Sequence, residues 1–341
     1  MLNVAIVGLG KMGLLHAGIL NSFPSCRVTS IAEKEGMLTR FAKKLLPNLE
    51  FYPSLEEMLI KERELSAIYV TTPIVSHLPI IRELAQYGKR IGVFLEKPLA
   101  GCYSDAQSIV ELSEKAGLKG MVGFQKRFSP IFRKASNLLQ SGVLGDLSSF
   151  SAYSYVSGVF SEGKGWRFKS GQGGALLDLG PHLIDILLWY FGEPIQVEGS
   201  VKSIYSTEVD DAADAKMKFK TGLLGSFSIS WSVEGFRLPE IGIDIQGTNG
   251  RLLVTDDYLK FELYRNTSSM QAGRYHLRKP EFDNGVNFLI GDPEYCTEDE
   301  YFINCLMNGR TPQPNFATGA KVNSIIEKVL YDSKLGGYAQ Y

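Results

Sequence analysis

The feature that most restricts the possible folds lies at the start of the chain. An apolar run over residues 2–7 leads straight into Gly8-Leu9-Gly10-Lys11-Met12-Gly13, and a helical run follows to about Asn21. A second apolar strand is expected over residues 27–32, ending at Glu33, twenty positions beyond Gly13. A bare G-x-G-x-x-G says little. Set between a strand and a helix, with an acidic residue closing the next strand, it points to dinucleotide binding. Each part has a physical reason. Gly8 permits a tight turn, Gly10 lets backbone approach a pyrophosphate, and Gly13 lets the helix pack closely on the strand. Amides at the helix start, around Lys11 and Met12, then face the phosphates. Glu33 can accept hydrogen bonds from a ribose 2′-hydroxyl and would repel a 2′-phosphate. This favours NAD over NADP, although the neighbouring Lys34 leaves NADP possible.

The alternation continues. Helices are expected at 37–46, 54–62, 76–87 and 104–117, and strands at 67–73, 91–98 and 120–124. Alternating strands and helices imply a parallel, doubly wound sheet with right-handed crossovers. Ligands bind beyond the carboxyl ends of such strands. The glycine loop, Glu33, Thr71-Thr72-Pro73, Glu96-Lys97-Pro98 and Gln125 all fall at those ends and are expected to line one crevice. His16 and His77 sit at helix starts, where a structural role is the commoner one.

Near residue 123 the pattern changes. A helix is expected at 129–141, then strands at 147–156, 195–206, 213–220, 223–233, 240–247, 251–255 and 258–265. Short turns between them imply a large, mostly antiparallel sheet. Residues 267–296 read as polar loops, with His276 between Arg274 and Arg278. Helices follow at 298–308 and 316–334. The expected division is therefore an α/β Rossmann domain over 1–123 and a second α/β domain over 124–341.

The length, 341 residues, suits about two domains. A net charge of −1 leaves no electrostatic footprint for nucleic acid or an anionic membrane. The four cysteines, Cys26, Cys102, Cys296 and Cys305, form no C-x-x-C pair, which argues against a disulfide framework or a cysteine zinc site. No histidine pair has metal-ligand spacing, so no metal is expected. No run of 18 apolar residues occurs, and the N-terminal strand breaks into glycines too soon for a signal peptide. The cytoplasm is the simplest compartment.

The second informative stretch is residues 173–192, Gly-Gly-Ala-Leu-Leu-Asp-Leu-Gly-Pro-His-Leu-Ile-Asp-Ile-Leu-Leu-Trp-Tyr-Phe-Gly. Pro181 suits the first turn of a helix, and Gly192 suits its stop. Asp178 then precedes the helix and His182 lies in its first turn. The positive end of a helix dipole disfavours imidazolium, so a histidine there can accept a proton near neutral pH. A lone histidine at such a place more often packs or caps. The dinucleotide loop and Glu96-Lys97-Pro98 shift the balance toward chemistry.

The fingerprint Gly8–Gly13, the triplet Glu96-Lys97-Pro98 and the block 173–185, with Thr71-Thr72-Pro73, His77 and residues 123–128, together resemble the glucose-fructose oxidoreductase / inositol dehydrogenase / rhizopine catabolism (Gfo/Idh/MocA) family. The resemblance implies a Rossmann domain joined to an open-faced α/β domain whose sheet often makes subunit contacts, hence a homodimer or homotetramer. It implies hydride transfer between NAD(P) and a hydroxyl of a sugar, polyol or nucleotide-sugar. The family's catalytic lysine, aspartate and histidine fall on Lys97, Asp178 and His182, and a cis bond before Pro98 is common in it. Arg127, Trp166 and Arg167 resemble family pocket positions.

Removing a hydride from a carbinol carbon also requires the hydroxyl proton to leave. His182 is the first choice as acceptor. Lys97 would stabilise developing alkoxide, or act as the base itself if its pKa is depressed. Asp178 would orient hydroxyls or fix the histidine tautomer. Asp185, three residues past His182, could line the pocket or pair with a basic neighbour. Tyr153, Tyr155, Phe160 and Trp166 suggest a pocket for a ring. Two alternatives stay open: a glycoside hydrolase using transient oxidation by NAD, and a non-catalytic NAD-binding regulator.

Overall fold

In the computed structural model, which describes residues 1–45, 48–88, 90–281 and 292–334, two kinds of strand set the architecture. Ala67–Val70 is buried at every position. Such strands belong inside a parallel sheet covered on both faces. Ala212–Lys218, by contrast, alternates buried and exposed residues. It belongs to an antiparallel sheet with one wet face.

The first sheet has six parallel strands in the order β3-β2-β1-β4-β5-β6. They are β1 (Leu2–Val7), β2 (Cys26–Ala32), β3 (Glu50–Tyr52), β4 (Ala67–Val70), β5 (Gly92–Glu96) and β6 (Lys119–Gly123). Between them run α1 (Lys11–Leu20), α2 (Gly36–Leu45), α3 (Leu55–Lys61), α4 (His77–Tyr87) and α5 (Tyr103–Ala116). Ser54 caps α3 by accepting from the Glu57 N–H at 3.2 Å. The order reverses beside β1, the switch point at which such sheets take their ligands. The three-residue β3 has no counterpart in the sequence reading.

After α6 (Pro130–Gln140) comes β7 (Leu147–Tyr155). The short α7 (Ala175–Asp178) and α8 (Gly180–Phe191) follow, then β8 (Gln196–Lys202), β9 (Ala212–Lys218), β10 (Leu224–Ser230), β11 (Glu240–Gly247), β12 (Gly250–Thr255), β13 (Tyr258–Leu263) and β14 (Gly273–Arg278). The described residues close with α9 (Pro293–Met307) and α10 (Phe316–Lys334). The second sheet runs β14-β13-β12-β11-β7-β10-β9-β8. All its pairings are antiparallel except that of β7 with β10.

Two sequence expectations change here. The supposed loop carrying His276 contains β14, an edge strand paired with β13, and α9 begins at Pro293 rather than near 298. Part of that expected loop lies outside the described residues. The chain divides into two compact units, residues 1–125 with 292–323, and residues 126–281 with 324–334. The first unit thus takes in α9, whereas the sequence boundary gave the second domain everything after residue 123.

Aromatic packing anchors each unit. In the first, Tyr69 stacks on Phe94 at 4.6 Å, and Phe302 of α9 meets both rings edge-on. In the second, Phe150 of β7 stacks on Phe191 of α8 at 4.8 Å, so α8 covers that face of the sheet.

Candidate functional site

The glycine loop follows β1, and its geometry explains its composition. Gly8 has φ +95°, and a Cβ there would stand 2.7 Å from the Thr72 methyl. A Cβ on Gly13 would stand 2.1 Å from the Gly8 carbonyl oxygen and 2.9 Å from Thr71 Oγ1. Thr71 Oγ1 donates to that same carbonyl at 2.7 Å, so the β4 end locks the turn. Gly10 differs, since nothing lies within 4 Å of its Cβ position. No side chain caps the start of α1. Open space over uncapped first-turn amides, at Lys11 and Met12, is the cradle a pyrophosphate requires. Glu33, half-buried at the end of β2, has both oxygens engaged. Oε2 accepts from the Leu9 N–H at 2.6 Å and Oε1 from the Glu35 N–H at 2.8 Å. A negative charge is therefore held beside the loop, where a ribose would lie. These residues fit a dinucleotide.

Thr71, Thr72 and Pro73 follow β4 directly, with Pro73 exposed. His77 lies beneath them, 1% exposed, with its nitrogens 3.1 Å from the Leu99 carbonyl and 3.2 Å from that of Thr72. Burial lowers its proton affinity despite the carbonyls. At the end of β5, across residues 91–100, only Glu96 and Lys97 are not buried. The Lys97–Pro98 peptide is cis. Gln125, 7% exposed at the end of β6, donates to Tyr295 Oη at 3.2 Å. All of these lie at the carboxyl ends of neighbouring strands, on one edge of the parallel sheet.

In the second unit, Gly173 and Gly174 are dictated by close approach. A Cβ on Gly173 would overlap the Arg167 carbonyl at 1.8 Å, and one on Gly174 would meet Asp210 Oδ1 at 2.3 Å. Asp210 Oδ2 accepts from the Leu176 N–H at 2.7 Å and so fixes α7. Burial pushes the Asp210 carboxyl up to about 6. Asp178 ends α7, and His182 is the third residue of α8. Across residues 174–187 every residue is buried except these two. Both carboxylates of this region have cationic partners. Arg167 Nη2 donates to Asp178 Oδ2 at 2.5 Å while its guanidinium lies 5.4 Å from the Trp231 ring. Arg127 donates to both oxygens of Asp185, at 2.6 and 2.7 Å, and stacks over Trp189 at 5.6 Å. Of the two roles open to Asp185, the structure has the basic pairing.

The aromatic expectation changes. Tyr153 and Tyr155 stack on each other at 4.9 Å, but alternation along β7 puts them on the face opposite Phe150, away from α8. Trp166 and Phe160 are 49% and 44% exposed. His276 is exposed on β14, 5.9 Å from the Tyr258 ring.

Sequence reasoning missed Tyr295 and Asp299 on α9, which support the strand ends of the first unit, and Asp210, which holds α7. Nothing in their local sequence names the partner. Among the described residues no group of three or more His, Cys, Asp or Glu could hold a metal ion. None of the described helices is long and apolar enough to cross a membrane.

Comparison with known proteins extends the picture. Residues 2–124 match the oxidoreductase family with an NAD-binding Rossmann fold, and residues 132–253 match the GFO/IDH/MocA C-terminal domain. Scyllo-inositol 2-dehydrogenase (NAD(+)) of Bacillus subtilis is 24% identical over 321 residues, which cover 90% of this chain and 87% of that one. Myo-inositol 2-dehydrogenase of Thermotoga maritima is 25% identical over 263 residues, 74% of each chain. Levoglucosan dehydrogenase in complex with NADH and levoglucosan has a similar fold, with a TM-score of 0.85 at 23% identity over 98% of this chain and 97% of that one. So has the WlbA dehydrogenase from Bordetella pertussis in complex with NADH and UDP-GlcNAcA, with a TM-score of 0.81 at 19% identity over 98% and 96%.

Proposed function

The chain belongs to the GFO/IDH/MocA family of oxidoreductases, and on that premise we propose that it moves a hydride between NAD and a hydroxyl of a sugar, polyol or nucleotide-sugar. One observation carries the reading. In each of the two motif stretches, every residue that emerges from a buried background is ionisable: Glu96 and Lys97 in 91–100, Asp178 and His182 in 174–187. With their neighbours buried, Lys97, Asp178 and His182 stay accessible to a ligand there. The relatives named as inositol dehydrogenases support the substrate class.

Bound NAD supplies the hydride acceptor. In this reading the glycine loop and Glu33 hold it, and Glu33 repels a 2′-phosphate. His182 takes the hydroxyl proton. Lys97 donates a hydrogen bond to the same oxygen and stabilises its alkoxide character as the hydride leaves. Asp178, paired with Arg167, orients substrate hydroxyls or the imidazole. Arg167 and Trp166 are assigned to the substrate, with Arg167 free to exchange Asp178 for an anionic substituent. Arg127 acts through Asp185 to hold α8, rather than on substrate. The exposed face of the second sheet, bearing Tyr153 and Tyr155 with Ser151, Ser226 and Ser228, is assigned to contact between copies in a homodimer or homotetramer.

The test is a screen of sugars, inositols and nucleotide-sugars for NADH formation. A dehydrogenase forms one NADH per product. A hydrolase using transient oxidation forms product without net NADH, and a regulator forms neither.

A further inference from the structure

One buried ionisable cluster has no part in that mechanism. His16, on α1, is fully buried. Its Nδ1 lies 2.9 and 2.8 Å from the two carboxylate oxygens of Asp299 on α9, and its Nε2 lies 3.1 Å from Glu96 Oε1. Ionised carboxylates only accept, so donation on both sides needs a proton on each ring nitrogen. Burial opposes that charge, but Asp299 and Glu96 outweigh it and raise the histidine's proton affinity well above its usual value. Rings fix the imidazole laterally: Phe94 at 5.0 Å, Tyr69 at 5.4 Å and Tyr295 at 6.1 Å. The second oxygen of Glu96, Oε2, accepts the backbone N–H of Lys97 at 3.1 Å. A continuous hydrogen-bonded chain therefore runs from α9 through α1 to the end of β5.

We propose that His16 is a positioning residue for Lys97: anchored on Asp299, it holds Glu96 by one oxygen so that the other fixes the Lys97 backbone. The assignment rests on the reading of Lys97 given above. The surroundings fit it. Tyr295, on the same face of α9, takes the hydrogen bond from Gln125, so one helix supports the ends of both β5 and β6. His16 itself touches neither substrate nor cofactor in this scheme.

The test uses the full-length protein and two readouts, one of which needs no substrate. His16 and the Lys97 N–H each hold a different oxygen of Glu96, so Glu96→Gln turns an NH2 donor toward one of the two donors and breaks the chain there. Residue-resolved amide exchange at Lys97 should quicken roughly tenfold in Glu96→Gln and in His16→Gln, as a charge-assisted hydrogen bond is lost. The kcat for NADH formation from the fastest compound in the screen should fall roughly tenfold in each, with KM for NAD+ within about threefold. The double variant should be no slower than the slower single, because both act along one chain. Unchanged Lys97 exchange overturns the proposal, and so does faster exchange with unchanged kcat. If His16→Gln fails to fold, Glu96→Gln, at a half-buried position, decides alone. A Lys97→Ala variant with full turnover would sink the functional reading instead, while the exchange data still decide whether the chain fixes the backbone.

Discussion

Arg127→Ala separates support of the histidine helix from direct contact with substrate. Arg127 grips Asp185 with two hydrogen bonds of 2.6 and 2.7 Å, and the Asp185 side chain is 1% exposed. Asp185 lies one turn beyond His182 on α8. Removing the guanidinium strands a buried carboxylate, a loss of about 3–5 kcal/mol. The sign of the pH dependence follows from the carboxyl group. Burial raises its pKa, and Arg127 opposes that rise through its charge and its hydrogen bonds. Without Arg127 the folded protein holds the Asp185 proton to still higher pH than the unfolded chain does. Stability then falls as pH rises through the folded pKa, and the deficit shrinks in acid. Urea unfolding of the variant and wild type at about pH 5 and about pH 8 should show the larger gap at the higher pH. Arg127→Met with Asp185→Leu should regain most of the loss, because a packed apolar pair leaves no stranded charge. Arg127→Ala within about 1 kcal/mol of wild type at both pH values, as for an exposed pair, would refute the reasoning.

Three further outcomes follow from the same geometry. Gly13→Ala places a methyl against the Gly8 carbonyl at 2.1 Å, so NAD+ affinity by calorimetry should drop at least roughly tenfold, along with about 1–3 kcal/mol of stability. An unchanged Kd would mean that the loop is not the cradle described. Glu33→Ala should narrow the preference for NAD+ over NADP+ in binding, and an unaltered ratio would remove Glu33 from the ribose contact. Asp211, fully buried, accepts from the Ile204, Tyr205 and Ser206 amides and from Trp231 Nε1. Burial works against its ionisation, but the hydrogen bonds, those from Ser206 foremost, hold its pKa below the usual carboxylate range. That stability is present above the unfolded value of about 4 and is lost as pH falls toward the folded one. Asp211→Asn should therefore be less stable at neutral pH and lose less on acidification. An acid unfolding curve parallel to wild type would count against it.

The Rossmann half was legible because parallel strands buried on both faces read as unbroken apolar runs, and because the glycine loop and Glu33 carry their own geometry. The catalytic candidates were legible as ionisable residues inside apolar blocks. The misses have a common cause. β14 is an exposed strand that, among the described residues, pairs only with β13, so its sequence, Gly-Arg-Tyr-His-Leu-Arg, has little apolar pattern to show. The missed start of α9, residues 293–297, is Pro-Glu-Tyr-Cys-Thr with Glu294 buried, and a proline followed by a mixed polar run read as loop. Tyr153 and Tyr155 share a face by simple alternation, but which face carries α8 depends on the packing of Phe150 against Phe191, which no local pattern records. The parallel pairing of β7 with β10 is likewise a matter of topology. His16 read as structural, and it is buried as such a residue should be. Its partner Asp299 lies 283 positions away, beyond the reach of any spacing argument.

In the proposed function Lys97 and His182 serve one reaction on a substrate hydroxyl while other residues hold the cofactor. The most direct measurement pairs NADH formation with NAD+ affinity in Lys97→Ala and His182→Ala, using the best compound from the screen. Each variant should lose at least roughly a hundredfold in kcat, with the calorimetric Kd for NAD+ close to wild type. Turnover near wild type in either variant, or NAD+ binding that collapses together with it, would contradict the account.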